Sequence, residues 1–207
     1  MRLPLAIFLI INLVLLGVCL AIISSTYAAH IRGDNFRLET NYLYVDFPKN
    51  WYVAPWENKS ITGTISSILL VPPDYRGSMF FMVYDEKASK VYLKENNVTD
   101  AASLTIVEVK RLHNWILDKN ISAPLHFIEN GTRTLFGREA AYSTFMVEGG
   151  YINEEGQPQN WTWTFMSIID GIIYQVAYHG VGEDYELAYE NFQLILNQTK
   201  INHGEGD

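Results

Sequence analysis

Six Asn-x-Ser/Thr sequons are the residues of this chain whose type and spacing predict chemistry most directly. They begin at Asn58, Asn97, Asn120, Asn130, Asn160 and Asn197. With 15 Asn and 23 Ser or Thr in 207 residues, chance alone gives roughly two sequons. Sequons are glycosylated only where an oligosaccharyltransferase can reach them, outside the cytoplasm. The excess therefore predicts an exported glycoprotein that carries glycan on several of these asparagines.

Patterns for catalysis or metal binding are weak by comparison. The five histidines form no close pair with zinc-ligand spacing, and the sequence has no Gly-x-Ser-x-Gly motif and no Gly-rich phosphate loop. Asp46, Asp74, Asp85 and Glu86 could converge into a carboxylate site, but solvated turn residues are the simpler interpretation. We therefore predict no catalytic residue, no metal and no cofactor, and keep a surface hydrolase with an unrecognised carboxylate site as an alternative.

Tryptophan side chains suggest a second alternative, a surface carbohydrate-binding module. Trp161 and Trp163 face the same way on one predicted strand, and Trp56 could extend them into a platform that stacks on sugar rings. Aromatic residues that alternate along a strand are more often part of the core. A glycan on the neighbouring Asn160 would make that end of the strand solvent-facing.

An apolar N-terminal segment supplies the export signal. Leu3 to Ile23 is almost uninterrupted apolar sequence, and about 21 helical residues span roughly 30 Å, the thickness of a bilayer core. A retained anchor and a cleaved signal peptide both fit, because small residues suited to a peptidase follow between Ser24 and Ala29. We expect residues 1–30 to act as one or the other, with the remainder of the chain outside the cell.

Composition limits the class of protein that follows this segment. About 175 residues remain, which is enough for a single domain with its own core. The only cysteine, Cys19, lies in the apolar segment, so dense sequons occur without any disulfide, a combination that favours an archaeal cell surface. The net charge of −8 argues against nucleic acid as a partner. We predict one domain at 35–199 and a disordered tail at 200–207.

Hydrophobic periodicity predicts an α+β domain in which helices flank an antiparallel β-sheet. Extended segments are expected at residues 42–47, 51–53, 66–71, 78–84, 139–147, 160–169 and 172–179. Residues 125–135 should contain a hairpin turn near Asn130-Gly131. Helices are expected at 100–117, capped by Thr99, and at 183–197.

Four motifs follow one another in this order. They are Val45-Asp46-Phe47-Pro48-Lys49-Asn50-Trp51, Leu135-Phe136-Gly137-Arg138-Glu139-Ala140-Ala141-Tyr142, Ile168-Ile169-Asp170-Gly171-Ile172-Ile173-Tyr174-Gln175-Val176-Ala177-Tyr178, and a terminal helix with Tyr185, Tyr189 and Phe192. Together they resemble the PsbP-like domain family over about residues 38–198. That family is an α/β/α sandwich typified by the extrinsic PsbP protein of photosystem II and shared in fold with a Ran-binding nuclear import factor.

The resemblance implies binding or assembly without catalysis, and it carries no photosystem function because fold does not determine function. We accordingly expect an N-glycosylated, non-catalytic PsbP-like domain. It would contact the membrane through residues 3–23 and bind an envelope protein partner. Because Trp51 follows the turn at Pro48, we also expect its ring to pack against the terminal helix near Phe192.

Overall fold

The computed structural model describes residues 28–32, 35–73, 77–118, 123–153 and 155–202. The apolar segment at 3–23, the sequon residue Asn120 and the tail beyond residue 202 lie outside the described residues. Within the described ranges, every helix is too short or too polar to span a bilayer.

Eleven strands and three helices are present in the described part of the chain. The strands are β1 Ala28–Arg32, β2 Asn35–Glu39, β3 Leu43–Pro48, β4 Tyr52–Ser60, β5 Gly63–Val71, β6 Gly77–Tyr84, β7 Leu125–Leu135, β8 Arg138–Ile152, β9 Pro158–Asp170, β10 Ile172–Val181 and β11 Lys200–Ile201. The helices are α1 Glu86–Glu95, α2 Ala101–Leu117 and α3 Asp184–Gln198.

A seven-stranded antiparallel sheet in the order β4-β5-β6-β10-β9-β8-β7 forms the centre of the fold. Successive side chains of β10 point to opposite faces of this sheet, because side chains alternate along a strand. Tyr174, Val176 and Tyr178 pack into the core that includes α3 and strands β2, β3 and β11 of the small sheet β1-β2-β3-β11, whereas Ile173 and Ala177 pack into the cores beneath α1 and α2. The predicted α+β class, an antiparallel sheet with flanking helices, is confirmed.

The core on the α3 side is organised around one aromatic contact. Trp51 follows a turn in which its backbone N–H donates to the Pro48 carbonyl at 3.0 Å. Its ring meets Phe192 edge to face, with the centroids 6.0 Å apart and the planes at 83°. Phe192 is 0 % exposed and lies 5.4 Å from the ring of Tyr178 on β10. The expected packing of Trp51 against the terminal helix is therefore confirmed.

Two features of the helices differ from the sequence prediction. α2 is capped by Asp100 rather than Thr99, because Asp100 Oδ1 accepts the Ser103 N–H at 2.7 Å while Ser103 Oγ accepts the Asp100 N–H at 3.2 Å. This reciprocal pair is a capping box one residue later than expected. α1 was not predicted at all. Its start is marked by Asp85, which accepts the Ala88 N–H at 2.7 Å.

The predicted hairpin turn at Asn130-Gly131 is wrong. β7 runs straight through this dipeptide, with Asn130 paired to Ser143 and Gly131 paired to Tyr142. Gly131 serves a close approach instead, since a side chain there would meet the Tyr142 ring at 3.2 Å. The turn lies at Phe136-Gly137, where both residues have positive φ values of 54° and 77°, as a two-residue hairpin of this type needs.

The chain is also ordered further toward both ends than predicted. β1 and β2 precede the strand that the sequence indicated as the first. β1 begins at Ala28, so its residues 28–30 overlap the predicted signal segment at 1–30. Lys200 and Ile201, assigned to the tail, pair with Tyr44 and Leu43 of β3. Ile201 packs against the α3-side core, and this burial explains why the order continues beyond α3.

Prediction: Trp51→Ala and Phe192→Ala each lower the free energy of unfolding by about 3–5 kcal/mol, because each removes a large buried ring and leaves a cavity. Chemical denaturation of the full chain measures this loss. The matched control is Trp56→Ala, since Trp56 is 43 % exposed on β4 and its removal should change stability by less than about 0.5 kcal/mol. Equal effects of Trp51→Ala and Trp56→Ala would contradict the described core.

Candidate functional site

The structure does not bring the three predicted platform tryptophans together. Trp163 is 7 % exposed and stacks on Phe165 and Phe80, with centroids 5.9 Å and 6.4 Å away, so it belongs to the core. Trp56 lies on the edge strand β4, separated from β9 by β5, β6 and β10. Trp161 alone among the three is both half-buried and placed in the wall of a pocket.

This pocket, which we call the Trp161 pocket, has a volume of about 410 Å³ and lies where β9 and β10 meet the start of α3. It is lined by Gly77, Tyr151, Asn153, Gln159, Trp161, His179, Val181, Gly182, Glu183 and Asp184. The ring of Tyr151 lies 6.4 Å from that of Trp161 with the planes at 60°. Tyr151 is not predicted as a site residue from the sequence. It reaches the pocket only because β8 pairs with β9, which places Tyr151 opposite Gln159.

Two glycines position the acidic rim of the Trp161 pocket. Gly182 adopts a positive φ of 56°, and its N–H donates to the Asn160 carbonyl at 2.8 Å. At Gly180 a side chain would come within 2.4 Å of the Tyr185 backbone, so only glycine lets α3 begin this close to β10. The turn places Glu183 and Asp184 at the N-terminus of α3, where the helix dipole favours negative charge.

His179 is held on both ring nitrogens. Trp161 Nε1 donates to His179 Nδ1 at 3.0 Å, and Ser78 Oγ lies 2.6 Å from His179 Nε2. Because an indole N–H can only donate, Nδ1 must be the acceptor. In the neutral ring Nε2 then carries the proton and donates a hydrogen bond to Ser78 Oγ. Burial lowers the pKa of His179 to about 4, so the ring is neutral near pH 7.

This arrangement is the opposite of a nucleophilic serine site. A histidine that activates serine must accept the hydroxyl proton on a free ring nitrogen. Here the nitrogen that faces Ser78 is already protonated, and the other nitrogen is occupied by Trp161. The Ser78–His179–Trp161 chain therefore fixes the pocket wall rather than supplying a nucleophile.

The candidate carboxylates have structural partners. Asp46 forms a two-point ion pair with Arg37, with both N–O distances at 2.6 Å. Burial alone would raise the pKa of Asp85, but the hydrogen bonds it accepts from Ala88 and Thr64 outweigh this and lower it. Asp74 lies outside the described residues.

Glu86, His113 and His126 make similar structural contacts. Lys90, one helical turn further along, donates a hydrogen bond of 2.5 Å to the Glu86 carboxylate, and this lowers the pKa of Glu86. His113 Nε2 lies 2.9 Å from the Ala123 carbonyl, and His126 pairs with Glu148 at 3.0 Å. In the ranges that the structure describes, no three His, Cys, Asp or Glu side chains form a group that could hold a metal ion.

A second concave region runs between α2 and the sheet. This apolar groove has a volume of about 310 Å³ and is lined mainly by Phe80, Met82, Leu112, Trp115, Trp163 and Phe165. Glu108 and Arg111 stand at its rim with their charged groups 3.7 Å apart, and Glu108 also accepts a hydrogen bond from the Tyr92 hydroxyl. Burial, with Glu108 close by, raises the pKa of Tyr92, which stays a neutral donor.

The five sequon asparagines that the structure describes are all exposed. They are Asn58, Asn97, Asn130, Asn160 and Asn197. Asn58 lies on β4 and Asn130 on β7, the two edge strands of the large sheet. Asn160 precedes Trp161 on β9, and strand alternation turns its side chain away from the face that carries Gln159 and Trp161. The positions are therefore accessible to glycan without entry into the core or into the Trp161 pocket.

Comparison with known proteins identifies the fold but no closer relative. No protein-family model matches the sequence, and no curated protein matches it significantly. The solution structure of cyanobacterial PsbP (CyanoP) from Synechocystis sp. PCC 6803 superposes with a TM-score of 0.50 at 7 % identity, covering 86 % of this chain and 94 % of that chain. The chain thus has a PsbP-like fold, as the four motifs predicted. At this identity the similarity concerns the fold alone.

A second solved structure matches less well. It is a crystal structure from Bacteroides thetaiotaomicron VPI-5482 with a TM-score of 0.40 and 14 % identity, covering 79 % of this chain and 46 % of that chain.

Prediction: acid weakens the fold through His179. The pKa of His179 in the folded protein is about 4, below the ordinary value of about 6.5, so the unfolded state binds more protons between these two pH values. The free energy of unfolding therefore decreases as the pH is lowered through this range. Between pH 7 and pH 5 this histidine should account for a loss of about 2 kcal/mol. Denaturation at both pH values measures the loss.

The variant His179→Gln should lose that part of the pH dependence, because it has no group that titrates in this window. The comparison variant is His126→Gln, at an exposed histidine on β7, which should retain the loss of stability attributed to His179. An undiminished pH dependence in His179→Gln would contradict the assigned neutral state.

Proposed function

We propose that this chain is an exported, N-glycosylated and membrane-anchored PsbP-like domain that binds an envelope partner without catalysis. The observation that carries the proposal is the Trp161 pocket. Its histidine is neutral and fixed on both nitrogens, whereas Tyr151 and Glu183 are exposed at its mouth. Such a site can bind a ligand but has no activated acid, base or nucleophile from His179 or Ser78.

Export and anchoring rest on the sequence. The apolar stretch from Leu3 to Ile23 is long enough to remain as an anchor, and the sequons require a location outside the cytoplasm. A domain that is rich in sequons and free of cysteine suits an archaeal cell surface. The exposure of all five described sequon asparagines supports glycosylation, because a buried asparagine could not carry glycan in the folded protein.

The alternative of a surface hydrolase finds no support from Asp46, Asp85 and Glu86, the described members of the carboxylate set that the sequence suggested. Glycoside hydrolysis needs two carboxyl groups flanking one bond, with one of them protonated through a raised pKa. Asp85 and Glu86 have lowered pKa values, and Asp46 is paired with Arg37. Each is already committed to a cap or an ion pair.

A photo-cross-linking amino acid in native membranes tests partner binding. The full chain would carry it at Tyr151, in the Trp161 pocket, or at Tyr52 on β4, which is exposed to a similar extent, 46 % against 43 %. We expect one envelope protein to be cross-linked from position 151 and not from position 52. No cross-linked product, or the same products from both positions, would refute the proposed binding role of the pocket.

Prediction: the native protein carries N-glycan at several sequons, with Asn58, Asn97 and Asn130 the most favourable sites because each is exposed at a strand edge or helix end. Mass spectrometry of peptides from protein purified from its own membranes measures occupancy. Six unmodified asparagines would refute the proposed glycoprotein.

Prediction: the chain after about Tyr27 lies outside the cell, since the sequons must face that side. A tag fused to the C-terminus should be digested when intact cells are treated with protease, while a cytoplasmic control protein survives. Complete protection of the tag would overturn the proposed topology.

A further inference from the structure

We propose that the Trp161 pocket is a saccharide-binding site that recognises a neutral sugar of the envelope partner's glycan. This rests on the proposed binding function and names the chemical class that the pocket accepts. The site differs from the tryptophan platform expected from the sequence. It uses one tryptophan, one tyrosine from the neighbouring strand and a set of planar polar side chains.

The pocket wall combines aromatic ring surface with planar polar side chains. Tyr151 and Trp161 supply ring surface from adjacent strands, with the Tyr151 side chain 43 % exposed. Asn153, Gln159 and Glu183 stand around them in the same pocket. The apolar C–H face of a sugar ring packs against aromatic rings, while its hydroxyl groups need planar hydrogen-bonding partners around the edge.

The pocket wall offers both hydrogen-bond donors and acceptors. A sugar hydroxyl both donates and accepts, so it matches a wall that offers carboxylate acceptors and amide groups with donors and acceptors. Glu183 and Asp184 supply the carboxylates, and Asn153 and Gln159 supply the amides. Asn153 Oδ1 already accepts the Gln157 N–H at 2.8 Å, which orients its amide group.

The charges of the pocket favour a neutral ligand. The lining contains no Lys or Arg that could pair with an anion. Its two acids lie at the N-terminus of α3, where the positive end of the helix dipole offsets part of the charge that would attract a cation. His179 adds no charge because its ring is neutral near pH 7. The N–H groups of the Asn153 and Gln159 amides supply donors, which a sugar hydroxyl can use and a cation cannot.

The rigidity of the wall favours binding of a small, stiff ligand. Trp161 is fixed by the hydrogen bond from its Nε1 to His179 Nδ1, 3.0 Å long. Its ring also makes edge-to-face contacts with the rings of Trp163 and His179, with the centroids 5.0 Å and 5.4 Å apart. A ring that is already ordered loses little conformational entropy on binding. The volume of about 410 Å³ is within the range of roughly 300–1,000 Å³ found for small-molecule sites.

An array of immobilised oligosaccharides tests the proposal directly. Full-length glycosylated protein in detergent would be applied to neutral and acidic oligosaccharides and to polylysine as the cationic probe. We expect binding to a neutral sugar that persists from about 0.1 M to about 1 M salt, because no charge is neutralised. Binding to polylysine alone, binding to no saccharide, or a saccharide signal abolished by salt would each overturn the proposal.

Matched variants locate the binding. Tyr151→Ala and Gln159→Ala should each weaken sugar binding at least about tenfold, the equivalent of one lost ring contact or buried hydrogen bond. Tyr52→Ala should bind like the wild type, since Tyr52 has similar exposure but lies on β4. Thermal melting confirms that each variant is folded. Wild-type affinity in both folded pocket variants would overturn the assignment.

A final comparison separates this inference from the proposed function. The cross-linking experiment at position 151 would be repeated in cells that lack the oligosaccharyltransferase. Loss of the cross-link supports recognition of a glycan, whereas an unchanged cross-link overturns the saccharide site and leaves the proposed partner binding intact. If no partner is cross-linked in either strain while the array still shows sugar binding, the partner role fails and the saccharide site stands.

Discussion

The need of β10 to bury both of its faces is the constraint on which the rest of the structure depends. Its neighbouring residues Tyr178 and His179 point in opposite directions. Tyr178 is 0 % exposed and meets Phe192, which in turn meets Trp51, so α3 and the turn after β3 are fixed on one face. His179 is bonded to Ser78 and Trp161 at the end of the other face. The wall of the Trp161 pocket is thereby tied to the main core through a single dipeptide.

Those parts of the fold that follow local periodicity could be predicted from the sequence. The strands near residues 160–169 and 172–179 and the apolar stripe of α3 are predicted because alternation and 3.6-residue spacing reflect a buried face. The Asn130-Gly131 turn failed because pairing along the whole of β7 outweighs the preference of one dipeptide. The Phe136-Gly137 turn was missed because Phe gives no turn signal, although it adopts a φ of 54° here.

The Trp161 pocket could not be predicted from the sequence, because its residues are far apart along the chain. Its lining comes from β6, β10, the β8–β9 hairpin and the start of α3, which are brought together only by the strand order of the large sheet. Trp161 could be singled out by residue type, but Tyr151 and Glu183 carry no local mark of function. The carboxylates with more suggestive spacing, Asp85 and Glu86, serve the start of α1 instead. Function in this fold is set by tertiary placement, and this is why similarity of fold at 7 % identity gives so little information about it.

The edge strand β7 gives the proposed glycans a physical role beyond marking an exported protein. His126 through Thr132 are all exposed, and Phe127 and Ile128 present 50 % and 56 % of their surface. An exposed edge with apolar side chains invites pairing with another chain. A bulge between Phe127 and Glu129 interrupts the ladder, and a glycan on Asn130 would stand two residues from Ile128. At the opposite edge, Asn58 on β4 is placed in the same way. Because the domain has no cysteine to cross-link it, its stability rests on core packing, and glycan at both edges of the large sheet would shield them from pairing with a neighbouring strand.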